Sequence, residues 1–308
     1  MAQIHLVDAS PYVFRAYFSL PDAMRDPAGR PMHAAYGFAT FLLKLVEDER
    51  ATHLALGFDE SLTSSFRNDL LPTYKSSREL PPEDLERQFT LCQRLADALS
   101  IPRFSSARFE AEDHLASLAA SLLADDPEHR LVVVSSDKDL LQLVSARVEL
   151  FDAARDARFD PPGVLAKVGV RPEQIPDYLG LAGDSVDDIP GVRGVGKKTA
   201  VALLSAFDSL EDALGNLDDV EQLQIRGARA LRRKLEAEQE VALLSKRLAI
   251  LATDAPADAT LDELTVGPPN EQLLDPLIEE LGWQALGERL RRFGRGGDPS
   301  QIAGMRST

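Results

Sequence analysis

At 308 residues with 44% hydrophobic side chains, the chain can bury the cores of one large and one smaller domain. Fifty Asp and Glu against 34 Lys and Arg leave a net charge of −16, which excludes a general affinity of the whole surface for nucleic acid but not a local basic track. A single cysteine excludes an intrachain disulfide; with no basic-then-apolar leader and no apolar run of membrane-spanning length, a soluble cytoplasmic protein is expected.

In chain order, residues 4–7 read as an apolar strand running into Asp8, and residues 35–46 as an amphipathic helix. A second strand at 53–58 runs into Asp59, followed by helices at 83–99 and about 110–123. Cys92 falls on the apolar face of the first of these, with Leu85, Phe89 and Leu95, as a small core residue. A third strand at 131–136 runs into Asp137, with Asp139 just beyond, and a short one follows at 148–151. Such alternation predicts an α/β core with a mostly parallel sheet and helices on both faces.

In that architecture ligands bind outside the carboxyl ends of the strands, so the three terminal carboxylates converge. Clustered acids resist ionising together unless divalent cations neutralise them. An oxygen-only donor set suits hard ions, so Mg²⁺ is expected, with Mn²⁺ able to substitute. Any one of these acids alone could be a helix cap, and Glu110, Glu112 and Asp113 stand in a first helical turn that favours acids without a metal.

Between Asp59 and Glu83 the periodicity breaks. Ser61 to Ser65, Phe66-Arg67, Pro72 and Tyr74-Lys75-Ser76-Ser77-Arg78 precede Pro81-Pro82. So long a connection has a function or is a plain solvated loop, and spacing leaves both readings open. If helical, Lys75 and Arg78 share a face.

Pro161-Pro162 marks a change to short helices and tight turns. The passage from Gly191 to Lys198 comes within one residue of a P-loop, but Lys198 stands where Ser or Thr is required and no buried strand precedes it, so nucleotide triphosphate is excluded as a ligand. Gly191, Gly194 and Gly196 suit instead a hairpin between two short helices, which grips a nucleic-acid backbone without reading bases, with Lys197 and Lys198 adding charge. A second basic strip runs from Arg226 through Arg229, Arg232, Arg233 and Lys234 to Lys246 and Arg247; an ordinary exposed helix is its default reading.

These blocks, in this order from about residue 4 to 254, resemble the 5′-nuclease family: the 5′→3′ exonuclease domain of bacterial DNA polymerase I, the phage flap endonucleases and their stand-alone bacterial relatives. The matching segments are Val7-Asp8 through Phe14-Arg15-Ala16, Phe58-Asp59, Phe66-Arg67, Tyr74 to Arg78, Glu110-Ala111-Glu112-Asp113, Ser136-Asp137-Lys138-Asp139 and Gly183-Asp184 through Ala200. The resemblance implies a PIN-like nuclease core over 1–160 with a helical arch at about 61–82, a helix–hairpin–helix DNA-binding region over 161–255, closing helices over 256–293 and a flexible tail over 294–308.

It further implies that Asp8, Asp59, Glu110, Glu112 and Asp113 surround one metal, while Asp137, Asp139, Asp184 and Asp187 build a second with Glu112 between. Lys75, Arg78 and Tyr74 belong to the arch, Arg67 holds the substrate phosphate, Arg15 pairs with an acid or touches DNA, and the hairpin can hold K⁺ through its carbonyls. Glu112 stands where most bacterial members carry Asp, and Asp188 where Asn is common. The expected protein is a monomeric metal-dependent 5′→3′ exonuclease or flap endonuclease acting on DNA with 5′ ends, flaps or branches, too short to hold a polymerase as well. A non-catalytic DNA-structure binder on the same fold is the alternative.

Overall fold

A computed structural model describes residues 3–61, 63–225 and 227–295. Strand β1 (Gln3–Asp8) enters helix α1 (Ala9–Ser19) without a loop, and α2 (His33–Glu47) leads to β2 (His53–Gly57). One turn of helix, α3 (Arg67–Leu70), interrupts the connection to α4 (Glu83–Ala98). Then follow β3 (Arg103–Phe104), α5 (Ala111–Asp125), β4 (Arg130–Val134), β5 (Val148–Asp152) and β6 (Ala157–Phe159). The six strands form one sheet in the order β3-β2-β1-β4-β5-β6, parallel except where β6 runs antiparallel to β5. From β1 the chain builds outward to one side and returns through β4 to the other, so the topological switch point lies between β1 and β4.

Both sheet faces are covered, which explains why the strands are apolar runs rather than alternating ones. Ile4, Leu6, Leu131 and Val133 face α5 and the helical region beyond residue 160. Val7, Leu54, Leu56, Val132 and Val134 face α1, α2 and α4. His5, fully buried within β1, is a polar exception. Burial, helped by Arg158, lowers its pKa from 6.5 to about 4. Between those values the unfolded chain takes up a proton that the folded chain refuses, so stability falls as pH drops through this window. From pH 7 to pH 5 the loss should be about 2 kcal/mol. Urea unfolding of His5→Leu at the two pH values should show it missing; an equal loss in variant and wild type would refute the assignment.

Past the sheet come α6 (Pro161–Val168), α7 (Ile175–Ala182), α8 (Lys197–Leu204), α9 (Leu210–Gly215), α10 (Leu217–Gln222), α11 (Ala228–Ala237) and α12 (Gln239–Ala249). These helices are too short to bury their own apolar faces, and Leu179, Leu203 and Leu235 belong to the same core cluster as Ile4 and Val133. The helical region thus shares the sheet's core instead of having its own, contrary to expectation. The chain then runs back beside β2, where Leu54 N–H bonds Leu264 O (2.8 Å) and Val266 N–H bonds Thr52 O (2.8 Å). Helices α13 (Glu271–Leu281) and α14 (Ala285–Leu290) pack against α4 and α2. No described helix is long and apolar enough to cross a membrane.

Two elements depart from the sequence reading. The sequence does not call for helix α1, because Tyr12-Val13-Phe14 suits a strand as well as a helix and only packing against α2 decides. The segment expected as a helical arch is helical only over α3; residues 72–77 form turns, and Pro72 and the positive φ of Lys75 (55°) explain why no helix continues. Residues 296–308, which include nearly all of the expected flexible tail, lie outside the described residues.

Candidate metal centre and nucleic-acid interface

The strand ends deliver their carboxylates to the switch point. Val7 is in register with Val134, so Asp8 lies level with the residues after β4. Asp8 occupies the N-cap of α1 but makes no side-chain capping bond. Its carboxylate instead accepts from Ser135 Oγ (2.8 Å), whose oxygen accepts the Asp137 N–H (2.9 Å). Asp59 accepts the Ala111 N–H (2.8 Å) at the start of α5. Burial, then the facing charges of Asp59 and Asp137, push the Asp8 pKa well up. Glu112 is likewise raised by burial, against the pull of Arg67, with Glu110 and Asp137 adding repulsion. These acids therefore face one another in a partly buried crevice.

A second set lies beside them. Asp139, Asp184 and Asp187 are all buried, and one oxygen from each lies within 4.8 Å of the others. Asp184 and Asp187 sit on a tight loop closed by two backbone bonds between Asp184 and Ile189 (2.8 and 2.9 Å). Asp139 Oδ1 is buried with no hydrogen-bond partner, and its pKa is raised by burial and by Asp137. An unsatisfied buried carboxylate oxygen amid two others, with no His or Cys in the set, fits the donor needs of a hard divalent cation.

Cations of the chain already press on both sets. Lys75 Nζ donates to Glu110 (2.7 Å) and lies 3.9 Å from Asp187, while Arg78 donates to Asp187 (2.6 Å). Burial opposes the charge on Lys75, but Glu110 and Asp187 outweigh it and raise its pKa. Burial would also raise Glu110, yet Lys75 and Arg67 hold it down to about 2. Tyr74 is buried, its hydroxyl 3.3 Å from Glu110 and 3.5 Å from Asp187. Lys75 N–H bonds Asp187 O (3.1 Å), and Asp188 accepts the Ser77 N–H (2.8 Å), so the turn containing Lys75 and Arg78 is tied to the loop carrying Asp187. Both Lys75 and Asp188 have left-handed φ (55° and 56°), a strain held in place by these bonds.

Immediately before Asp184, Gly183 and Gly191 cross at close range with φ of 70° and 60°; a Cβ on Gly191 would lie 2.3 Å from Gly183 N. This crossing turns the chain from α7 into a turn over residues 191–196, whose exposed Gly196 leads into α8 with its exposed Lys197 and Lys198. Gly194 O accepts from Lys234 Nζ (3.1 Å).

Two profiles of one family match the sequence: the 5′-3′ exonuclease N-terminal resolvase-like domain over residues 3–169, and the 5′-3′ exonuclease C-terminal SAM fold over residues 170–272. The chain belongs to the 5′-3′ exonuclease family.

Among curated relatives, DNA polymerase I of Bacillus subtilis is 39% identical over 289 residues, 92% of this chain and 32% of that protein. DNA polymerase I of Pseudomonas aeruginosa is 40% identical over 282 residues, 91% and 30% of the two chains. The chain thus spans about a third of the length of these relatives. Among solved structures, T5 5′-exonuclease with bound zinc has a TM-score of 0.63 at 19% identity, covering 94% of this chain and 97% of its own. A bacteriophage T5 flap endonuclease in complex with DNA and metal ions gives 0.62 at 19%, covering 94% and 96%. At that identity the likeness speaks for the fold.

Within this 5′-3′ exonuclease fold, Tyr74, Asp113 and Arg67 are placed differently from expectation: Tyr74 is 1% exposed, with its hydroxyl on Glu110 and Asp187, and has no face for DNA. Arg67 is 1% exposed and donates to both oxygens of Asp113 (2.7 and 2.9 Å), which also accepts the Glu110 and Ala252 N–H groups. Asp113 is therefore spent on a buried ion pair and on the capping box that starts α5, and Arg67 has no exposed face for a phosphate. Together they hold Glu110 and Glu112, 3.5 and 3.6 Å from the guanidinium, in place. Arg15 is exposed on α1 and is not drawn into the crevice. In the second basic strip Arg232 and Lys246 are paired with acids, and Arg226 lies outside the described residues. Sequence reasoning did not single out Lys138, whose ammonium donates to Asp184 (2.5 Å); its place between Asp137 and Asp139 was the available signal.

Proposed function

We propose that this chain is a structure-specific 5′ nuclease that hydrolyses DNA phosphodiester bonds as a monomer in replication or repair, acting as a 5′→3′ exonuclease, a 5′-flap endonuclease or both. The observation that carries the proposal is the meeting of two carboxylate sets at the switch point with Lys75 and Arg78 set between them. Asp8, Asp59, Glu110 and Glu112 would hold one Mg²⁺ and Asp137, Asp139, Asp184 and Asp187 the other, with Mn²⁺ able to replace either. Such ions supply an activated water and a counter-charge for the leaving 3′ oxygen.

The chain's own groups do the rest. Ser135 orients Asp8, and Arg67 with Asp113 fixes the start of α5 so that Glu110 and Glu112 point inward. Lys75 and Arg78, released from Glu110 and Asp187, neutralise charge growing on the scissile phosphate. The hairpin at Gly191 to Gly196, with Lys197 and Lys198, grips the duplex backbone by N–H groups and charge, and its carbonyls offer a place for K⁺. Products carry a 5′-phosphate and a 3′-hydroxyl.

Cleavage of an end-labelled 5′-flap duplex with Mg²⁺, Mn²⁺ or EDTA, with Asp137→Asn beside the wild type, tests this reading. Metal-dependent cutting near the junction that the variant loses supports it; tight flap binding without cutting under either metal means a structure-binding protein instead. Lys75→Ala should lower turnover about a hundredfold while duplex affinity stays within about twofold. Equal losses in turnover and affinity would mean that Lys75 only positions DNA.

A further inference from the structure

Helix α11 and the residue that ends it hold the hairpin turn by its backbone. Glu238 Oε2 accepts the Arg193 N–H (2.7 Å), and one helical turn earlier Lys234 Nζ donates to Gly194 O (3.1 Å). From α12, the buried Ser245 Oγ accepts the Gly191 N–H (3.0 Å). The turn closes on itself through Val195 N–H to Val192 O (2.9 Å). With its inner side fastened in this way, the turn presents the first N–H groups of α8, which have no acceptor within the helix.

The charge pattern makes Glu238 conspicuous. Arg193, Lys197 and Lys198 are all exposed on the hairpin, and a carboxylate beside them lowers its attraction for phosphate. What Glu238 gives in return is the bond to the Arg193 N–H, and Lys234 offsets its charge four residues away.

We propose that Lys234 and Glu238 are positioning residues that set the hairpin's DNA-gripping shape through the Arg193 and Gly194 peptide groups, rather than contacts to DNA. The inference rests on the reading of residues 191–198 as a phosphate-gripping hairpin. It makes an unusual claim of sign, because removing an acid from a DNA-binding surface should weaken binding.

The test is the affinity of the full chain for a fluorescent 5′-flap duplex in EDTA, measured by anisotropy over a range of salt. Glu238→Ala should bind about fivefold more weakly, as for the loss of one ordinary hydrogen bond, while Glu238→Gln, which keeps the acceptor, should bind like the wild type. Lys234→Met should weaken binding without changing the salt slope, whereas a phosphate contact would lower that slope by about one. Amide exchange at Arg193 should speed up in Glu238→Ala and not in Glu238→Gln, a readout independent of DNA. Equal or tighter binding by Glu238→Ala overturns the proposal, as does a reduced slope in Lys234→Met. Lys197→Glu with Lys198→Glu separates the two levels: unchanged affinity there means that the hairpin reading itself fails, while a loss there with none in Glu238→Ala refutes only the positioning pair.

Discussion

Asp139→Asn is expected to lower metal-dependent flap cleavage at least about a hundredfold and, in the same protein, to raise the melting temperature of the metal-free form by about 2 °C or more. The two effects have one cause. Asp139 Oδ1 is buried without a partner, and one oxygen of Asp139 lies within 4.8 Å of one each from Asp184 and Asp187, so ionised it costs stability until a cation arrives. The amide keeps the shape and removes the repelled charge, but it is a poorer ligand for a hard ion. Thermal melts in EDTA and in Mn²⁺ check this directly: the variant should start higher and gain less from the metal. A lower melting point in EDTA would show that Asp139 holds the fold together, and an undiminished gain from Mn²⁺ would remove it from the ligand set.

The acids at the strand ends were legible because an apolar run that stops at a carboxylate carries both the strand and the polarity of its end in a few consecutive residues. Asp8, Asp59 and Asp137 all sit where that logic puts them. The turn between α7 and α8 was legible for a similar local reason, since Gly191 and Gly194 mark positive φ. Asp113 was misread because its partner, Arg67, is 46 residues away, and a carboxylate in a first helical turn looks the same whether it faces a metal or a guanidinium. The turn from Tyr74 to Arg78 was beyond a periodicity argument. Its conformation is set by bonds to Asp187 and Asp188, more than a hundred residues later, that overcome the cost of a left-handed lysine. Lys138 escaped because a lysine between two aspartates reads as a solvated charge until the loop carrying Asp184 is folded against it.

Arg67→Ala should cost about 3–5 kcal/mol, a large part of the roughly 5–15 kcal/mol typical of a whole domain. The guanidinium is fully enclosed and spends its donors on Asp113, on Leu248 O (2.7 Å) and on Ile250 O (3.2 Å). Truncation leaves Asp113 buried with only backbone N–H partners and strands two carbonyls at the end of α12. Arg67→Lys should restore little, because one ammonium cannot reproduce the fork that bridges carboxylate and carbonyls together. Removing both charges in Arg67→Met with Asp113→Leu should recover much of the loss, since the penalty comes from an unpaired buried ion rather than from a missing attraction. Urea unfolding of the four proteins decides this. If Arg67 instead reached out to a DNA phosphate, the single alanine variant would unfold like the wild type and show only weaker DNA binding with a shallower salt slope. Because the same guanidinium also touches Glu110 and Glu112, the loss of stability should come with a loss of cleavage in whatever fraction remains folded, linking the end of α12 to the carboxylates at the strand ends.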